Sequence, residues 1–464
     1  MNTTDCCGFL KLKLPDLSIL IRYEESIKKI AYFYYNQTIF MKKFIFVIGA
    51  LLVILVLYMS FEKEMPEYNP ERNYVDLEDE ILEAFILAKD SATIQLPEGH
   101  FLFSQSLSID GKKHITVKGM GMDKTILSFK GQTNGAEGIL VTNCSNFTIE
   151  DLTIEDAAGD NLKISESKNV IIRNIRSAWT GKVSTQNGAY GIYPVLTENL
   201  VIEDCVAIGA SDAGIYVGQS QNVIIRNNKA FYNVAGVESE NSTGVEIYNN
   251  DIYQNTGGLL IFNLPKLTLY GKGVKAHDNK IYDNNLENFG VKGSIVSGVP
   301  KGTGVIIMAT QDVDFYNNTV QDHVTSNLSI VSYLVFAAED DPEAAIDQSI
   351  QDRGIRAVET DFESDIEYNA YPGNVFIREN AFENKFSFPT LSNEYGWLMI
   401  FKNKMVIPDV VYDGILPDGA IIQDENHKIC IGDNGDFNFV FMDAANDFEA
   451  FSNDLSPFIC SLDL

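Results

Sequence analysis

Eight short stretches of this chain fall under one another. Asn146-Phe-Thr-Ile-Glu-Asp, Asn169-Val-Ile-Ile-Arg-Asn, Asn199-Leu-Val-Ile-Glu-Asp and Asn222-Val-Ile-Ile-Arg-Asn open the series. Gly244-Val-Glu-Ile-Tyr-Asn, Gly273-Val-Lys-Ala-His-Asp, Asp312-Val-Asp-Phe-Tyr-Asn and Asn374-Val-Phe-Ile-Arg-Glu continue it. The basic step is 22–23 residues, and longer steps read as insertions within a repeat. Inside each unit, apolar residues alternate with others over short runs bounded by Gly, Asn, Asp or Ser, which is strand periodicity. A strand this short cannot bury a face alone. Stacking turn on turn at about 4.8 Å pairs every backbone and fills one continuous core. The Leu-x-x-Leu-x-Leu frame of a leucine-rich repeat is absent, and a β-propeller needs a period of roughly forty residues. The sequence therefore predicts an all-β fold, a right-handed single-stranded parallel β-helix. It is right-handed because parallel crossover connections nearly always are.

The paired asparagines Asn227-Asn228, Asn249-Asn250 and Asn317-Asn318 recur at one corner of successive turns. Asn tolerates the left-handed backbone conformation, and stacked side-chain amides can bond along a column, so these residues read as structural. Ile94 to Phe101 reads as the entry strand, and the amphipathic stretch from Asp76 to Ala88 as a helix capping the open N-terminal end. The predicted organisation is an upstream extension over residues 1–40 and a signal anchor or signal peptide over 41–61. A linker and capping helix follow over 62–89, then the β-helix over 90–430 and a C-terminal segment over 431–464.

Met41-Lys42-Lys43 precedes a run without charge from Phe44 to Phe61. Basic residues ahead of an apolar run mark an export signal, and a helix over residues 44–61 would just cross the hydrocarbon core if it is not cleaved. The acidic residues Glu62, Glu64 and Glu67 follow it, so the body is expected to be exported, either membrane-anchored or periplasmic or extracellular. Met41 would itself serve as a start, which makes residues 1–40 upstream sequence. The body carries Cys430 and Cys460 near its end, and in an exported chain these two are disulfide candidates; otherwise they are buried thiols. Cys205, at an inward position, is expected to be buried and unpaired. No cysteine spacing supports a metal site, and no cofactor is indicated. The net charge is −29, from 35 basic and 64 acidic residues. Nucleic acid is excluded as a partner, because phosphate binding needs clustered Lys and Arg.

Four insertions leave the regular turns: Trp179 to Asn187, Leu264 to Lys272, Leu286 to Gly302, and 321–373, the longest. The last carries twelve acidic residues against Arg353 and Arg356 and reads as solvated surface, since it lacks a calcium-loop frame. A sharper inference comes from aligning Leu162-Lys-Ile, Ile192-Tyr-Pro, Ile215-Tyr-Val, Val237-Glu-Ser and Leu259-Leu-Ile. The outer members point inward, so the middle residues point outward. That predicts one exposed file of Lys163, Tyr193, Tyr216 and Glu238. Asp160 and Asp212 are expected to share one loop position at its edge, Glu240 to share its face, and Tyr190 and Trp179 to border it. Such a file can bind sugar rings and hydroxyls, or exchange a proton next to a carboxylate. It can also be a plain ladder of stacked rings. His277 and His323 stand too isolated in sequence to add a catalytic centre.

Asn187-Gly-Ala-Tyr-Gly-Ile-Tyr-Pro194, Ala207 to Gln219 and Tyr232 to Glu238 resemble the bacterial exported parallel β-helix repeat-containing family. The likeness runs over roughly residues 75–462, including Ile429 to Asp436 and Pro457-Phe-Ile-Cys460. The resemblance implies an export signal and an exported c-type cytochrome as partner; it carries over no catalytic residues. More distantly, the fold resembles polysaccharide lyases, alginate epimerases and the periplasmic β-helix protein of nitrous oxide reductase maturation. The epimerase signature Asp-Pro-His is missing, because Tyr190-Gly-Ile-Tyr-Pro194 runs on to Val195. The expected function is an extracytoplasmic β-helix protein that binds a polysaccharide or a partner, or else a polysaccharide lyase or uronate epimerase.

Overall fold

The computed structural model describes residues 65–337 and 357–464; the expected extension and apolar segment (1–40 and 41–61), with residues 62–64, lie outside them, as does part of the longest insertion. The chain from Met65 onward is a parallel β-helix. One turn shows the plan: Ala213–Gly218 lies in a first sheet, Gln221–Arg226 in a second, and Lys229–Phe231 in a third. The next turn repeats it with Ala235–Glu240, Thr243–Tyr248 and Asp251–Tyr253, in parallel register throughout. The first sheet has eleven strands, from Gln105–Asp110 to Phe439–Phe441. Its last strand lies past residue 430, because Phe439–Phe441 still pairs with Val410–Tyr412.

The core follows from register. Leu162, Ile192, Ile215, Val237, Leu259 and Val305 stand in one inward file of the first sheet, each fully buried. Burying one such side chain contributes roughly 1.5–3 kcal/mol. At the N-terminal end the helix Glu78–Ile86 closes the stack with Ile81 and Phe85. Glu78 fixes that helix by accepting hydrogen bonds from the Ser104 amide at 2.7 Å and hydroxyl at 2.8 Å. At the other end Cys430 and Cys460 form a disulfide with Cα atoms 4.9 Å apart. Cys144 and Cys205 are buried free thiols.

The corner between the second and third sheets turns through left-handed residues, among them Asn227, Asn249 and Asn317 with φ of 58°, 55° and 55°. The asparagine after each is buried and donates from Nδ2 to the Oδ1 of the next turn. The ladder runs Asn228, Asn250, Asn279, Asn318, Asn380, Asn434, with steps of 2.9–3.0 Å. A second buried ladder, Asn233, Asn255, Asn284, ends on His323 Nε2 at 3.1 Å. Burial pushes the His323 pKa down to about 4, so the ring is neutral. With Nε2 accepting from Asn284, the Nδ1 proton faces Asn327 Oδ1 at 2.8 Å.

Candidate functional site

Lys163 stands beside Tyr193, and Tyr216 beside Glu238, in the parallel register of the first sheet. Ile192 pairs with Ile215, which puts Tyr193 over Tyr216 and completes one file on the outer face. The file continues through Leu260, Ile306, Ser329 and Val411.

The expected exposure of this file is overturned. Lys163 keeps 25% of its side chain accessible, whereas Tyr193, Tyr216 and Glu238 are buried at 6%, 1% and 2%. A second apolar cluster lies over the outer face. Val183 comes from the first insertion, Leu264 from the second, Phe289, Val291 and Ile295 from the third, and Phe336 from the longest. The alternation of apolar residues reports which side of a strand faces the core. It carries no information about insertions that fold back over the other side.

Asp160 and Asp212 do not share one position either. Asp160 stands two residues before the inward Leu162, and Asp212 three before the inward Ile215. The Asp212 amide accordingly donates to Ala189 O, while the Tyr190 amide donates to Asp160 Oδ1 at 3.3 Å. Both aspartates are buried.

Tyr190, placed at the border by the sequence, is at the centre. Its ring lies 4.4 Å from Tyr193 and 4.6 Å from Tyr216, and the last two are 4.9 Å apart. It leaves the strict alternation because it opens its strand at the turn, just after Gly188, whose lack of a side chain admits the Trp179 ring. Trp179 itself serves the corner, donating from Nε1 to Ala157 O at 2.9 Å. Glu240 shares the face of Glu238, its carboxylate accepting the Tyr216 hydroxyl proton at 2.6 Å. Lys163 Nζ sits 4.9 Å over the Tyr193 ring and 3.6 Å from both Asp160 Oδ2 and Glu137 Oε1. Glu137 was not singled out in the sequence. Its register one turn before the file was the only available signal.

Burial is the main force on these protons. It raises the Asp160 pKa to about 7 against the pull of Lys163, with Glu137 adding to the rise. It also holds the Tyr190 phenol well above its ordinary value, with Asp212, Tyr216, Tyr193 and Glu238 pushing the same way. Asp160 is thus a carboxyl that exchanges its proton near neutrality, and Tyr190 is a committed donor.

The model of the family described as right-handed beta helix region matches residues 109–272 and again 187–385, together more than half of the sequence. The chain belongs to the right-handed β-helix family. No curated protein matches this β-helix protein at a significant level. Among solved structures it is similar to the A-module of a mannuronan C-5 epimerase from Azotobacter vinelandii, at 14% identity and a TM-score of 0.42, over 75% of this chain and 92% of that one. It is also similar to a DFA-IIIase from Arthrobacter chlorophenolicus, at 10% identity and 0.43, over 74% and 84%. An exopolygalacturonase from Thermotoga maritima follows at 11% identity and 0.38, over 82% and 92%. None of these proteins lends this chain a residue role.

Proposed function

We propose that this β-helix protein binds a polysaccharide at the mouth marked by Lys163, with Tyr193, Tyr216, Glu238, Asp160 and Asp212 behind it. One contrast carries the reading. Further along the same covered file, Leu260 and Ile306 fill the space under the insertions and are buried just as deeply. Packing alone is therefore met by apolar side chains. Tyrosines and carboxyls in the same surroundings cost desolvation and are retained where chemistry needs them. Lys163 is the partly accessible member; with Glu137 and Asp160 each 3.6 Å from its Nζ, it offers sugar hydroxyls a donor flanked by acceptors.

A second reading, a uronate lyase or epimerase, is favoured by Asp160. A group with a pKa of about 7 beside a lysine is suited to take the proton adjacent to a uronate carboxylate. In elimination the electron pair left behind forms a carbon–carbon double bond, and the glycosidic C–O bond breaks with its pair on oxygen, which takes up a proton. In epimerisation the proton returns on the opposite face of the same carbon.

The test is a glycan array on the full chain, then product analysis on uronate polymers. Binding that weakens in Lys163→Ala without any product supports the first reading and retires the second. Neither binding nor product on any array member overturns both.

The setting we propose is extracytoplasmic, anchored or released, with residues 44–61 as the export segment. The Cys430–Cys460 disulfide supports it, since such bonds persist in oxidising compartments. Among the described residues no helix is long and apolar enough to cross a membrane. The c-type cytochrome partner belongs to the same proposal and is tested by co-purification from native cells.

A further inference from the structure

Among the described residues, the outer face of the first sheet is open over its first three strands, Gln105–Asp110, Asn134–Thr142 and Leu162–Ser165, and closed from the next. Ser108, Leu140 and Lys163 are consecutive members of one outward file, and Asp110, Thr142 and Ser165 of the file beside it. Ser108 and Asp110 are exposed, and the other four are partly buried. One turn further, Tyr193 and Val195 continue the same two files and are buried at 6% and 7%. Their successors Tyr216, Glu238 and Glu240 are buried more deeply still.

The closure is a braced wall. Val183 joins Tyr193 and Val195 in one apolar cluster. Just before it, Gly181–Lys182 pairs antiparallel with Glu67–Tyr68 of the N-terminal arm, and the Val183 amide donates to Pro66 O at 3.0 Å. Met65 packs against the same cluster. Two separate parts of the chain thus hold the wall in place.

The open strip spans two steps of about 4.8 Å along the stack. Its polar groups Asp110, Thr142 and Ser165 recur along the stack, so a sugar chain that meets all three runs that way and stops at the wall. Leu140 offers the apolar face of a sugar ring a seat midway. The charged groups stand at the closed end, where Lys163 Nζ lies 3.6 Å from both Glu137 Oε1 and Asp160 Oδ2. A terminal sugar carries a free hydroxyl where an interior one carries the bond to its neighbour. A hydroxyl donates and accepts, and an ammonium between two carboxylates meets both needs.

Building on the polysaccharide reading, we infer that this site recognises a chain end. The terminal sugar stands at Lys163 against the wall, and the units behind it lie over Leu140 and Ser108. The wall denies the interior of a polymer the same seat.

The test titrates the full chain with the linear polysaccharides of the array, dextran, pullulan, xylan and alginate among them, each intact and after partial acid hydrolysis. Cutting the mean chain length about tenfold multiplies the ends about tenfold, so the half-saturating mass of a bound polysaccharide should fall about tenfold. A half-saturating mass that does not change with chain length overturns the inference and leaves the polysaccharide reading standing. Absence of binding by every array member overturns both. Leu140→Arg, which obstructs the strip from an outward position, should weaken binding about tenfold or more. Ser108→Arg, at an exposed position, is the second variant should Leu140→Arg fail to fold. Unchanged affinity in a folded variant also overturns the inference.

Discussion

The Tyr216 hydroxyl donates to Glu240 Oε1 at 2.6 Å, joining two consecutive turns across the outer face of the first sheet. Both groups are buried, so the bond is made where water does not compete. Tyr216→Phe leaves the buried Glu240 carboxyl short of one partner and should cost about 1–3 kcal/mol, the range for an unsatisfied buried polar group. Pairing it with Glu240→Gln in a double-mutant cycle, read by denaturant unfolding, should recover a coupling of the same order. A coupling near zero would mean that the two groups act independently.

Asp160 makes stability fall as pH rises. Its ordinary pKa is 3.8 and its folded value about 7, so between these the folded chain holds the extra proton. Its contribution is fully present below pH 4 and lost progressively up to about pH 7, at most about 4 kcal/mol. Asp160→Asn should abolish this dependence. Unfolding free energies of both proteins at intervals from pH 4 to 8 should then diverge steadily in favour of the variant.

His323 has the opposite sign. Its ordinary pKa is 6.5 and its folded value about 4, so in that window the unfolded chain binds the proton and the folded chain does not. Stability is therefore lost as pH falls from 6.5 towards 4, by about 3 kcal/mol at most. His323→Asn continues the amide ladder without a titrating group. Relative to the parent, the variant should gain stability on acidification, measured over the same pH series.

The disulfide closes a loop of sequence separation 30, for which the chain-entropy view gives about 3–4 kcal/mol. Cys430→Ser should lower the melting temperature in the absence of reductant. Adding reductant should lower the parent's melting temperature by a similar amount and leave the variant's unchanged.

The sequence made the turns legible because the same six-residue frame recurs from Asn146 to Asn374, and a period of two assigns Ile192 and Ile215 inward without further information. The file of Lys163, Tyr193, Tyr216 and Glu238 followed from that register alone. What covers it did not. Val183, Phe289 and Phe336 belong to insertions that share no period, and their resting place is settled by the apolar area they find rather than by local pattern. Tyr190 was displaced from the centre of the cluster to its edge for a related reason. At the start of a strand the turn, and not the alternation, sets the side-chain direction.

The two kinds of asparagine ladder give the solenoid a grain. The buried column begins at Asn228, whose Oδ1 also accepts from the Cys205 amide at 2.9 Å; one turn earlier the matching place is a thiol, and before that apolar. The N-terminal turns have in its place the exposed column Asn146, Asn169, Asn199, Asn222, where water competes for every bond, and the shorter buried hydroxyl contacts of Ser167, Thr197 and Ser220. In a molecule whose turns touch only their neighbours, unequal stitching creates a seam. It lies at Cys205. Heat or force should peel the turns ahead of that thiol first, while those behind it stay zipped by their amides and clasped by the disulfide. Protection from hydrogen exchange should accordingly step upward at residue 228 rather than fade evenly from both ends.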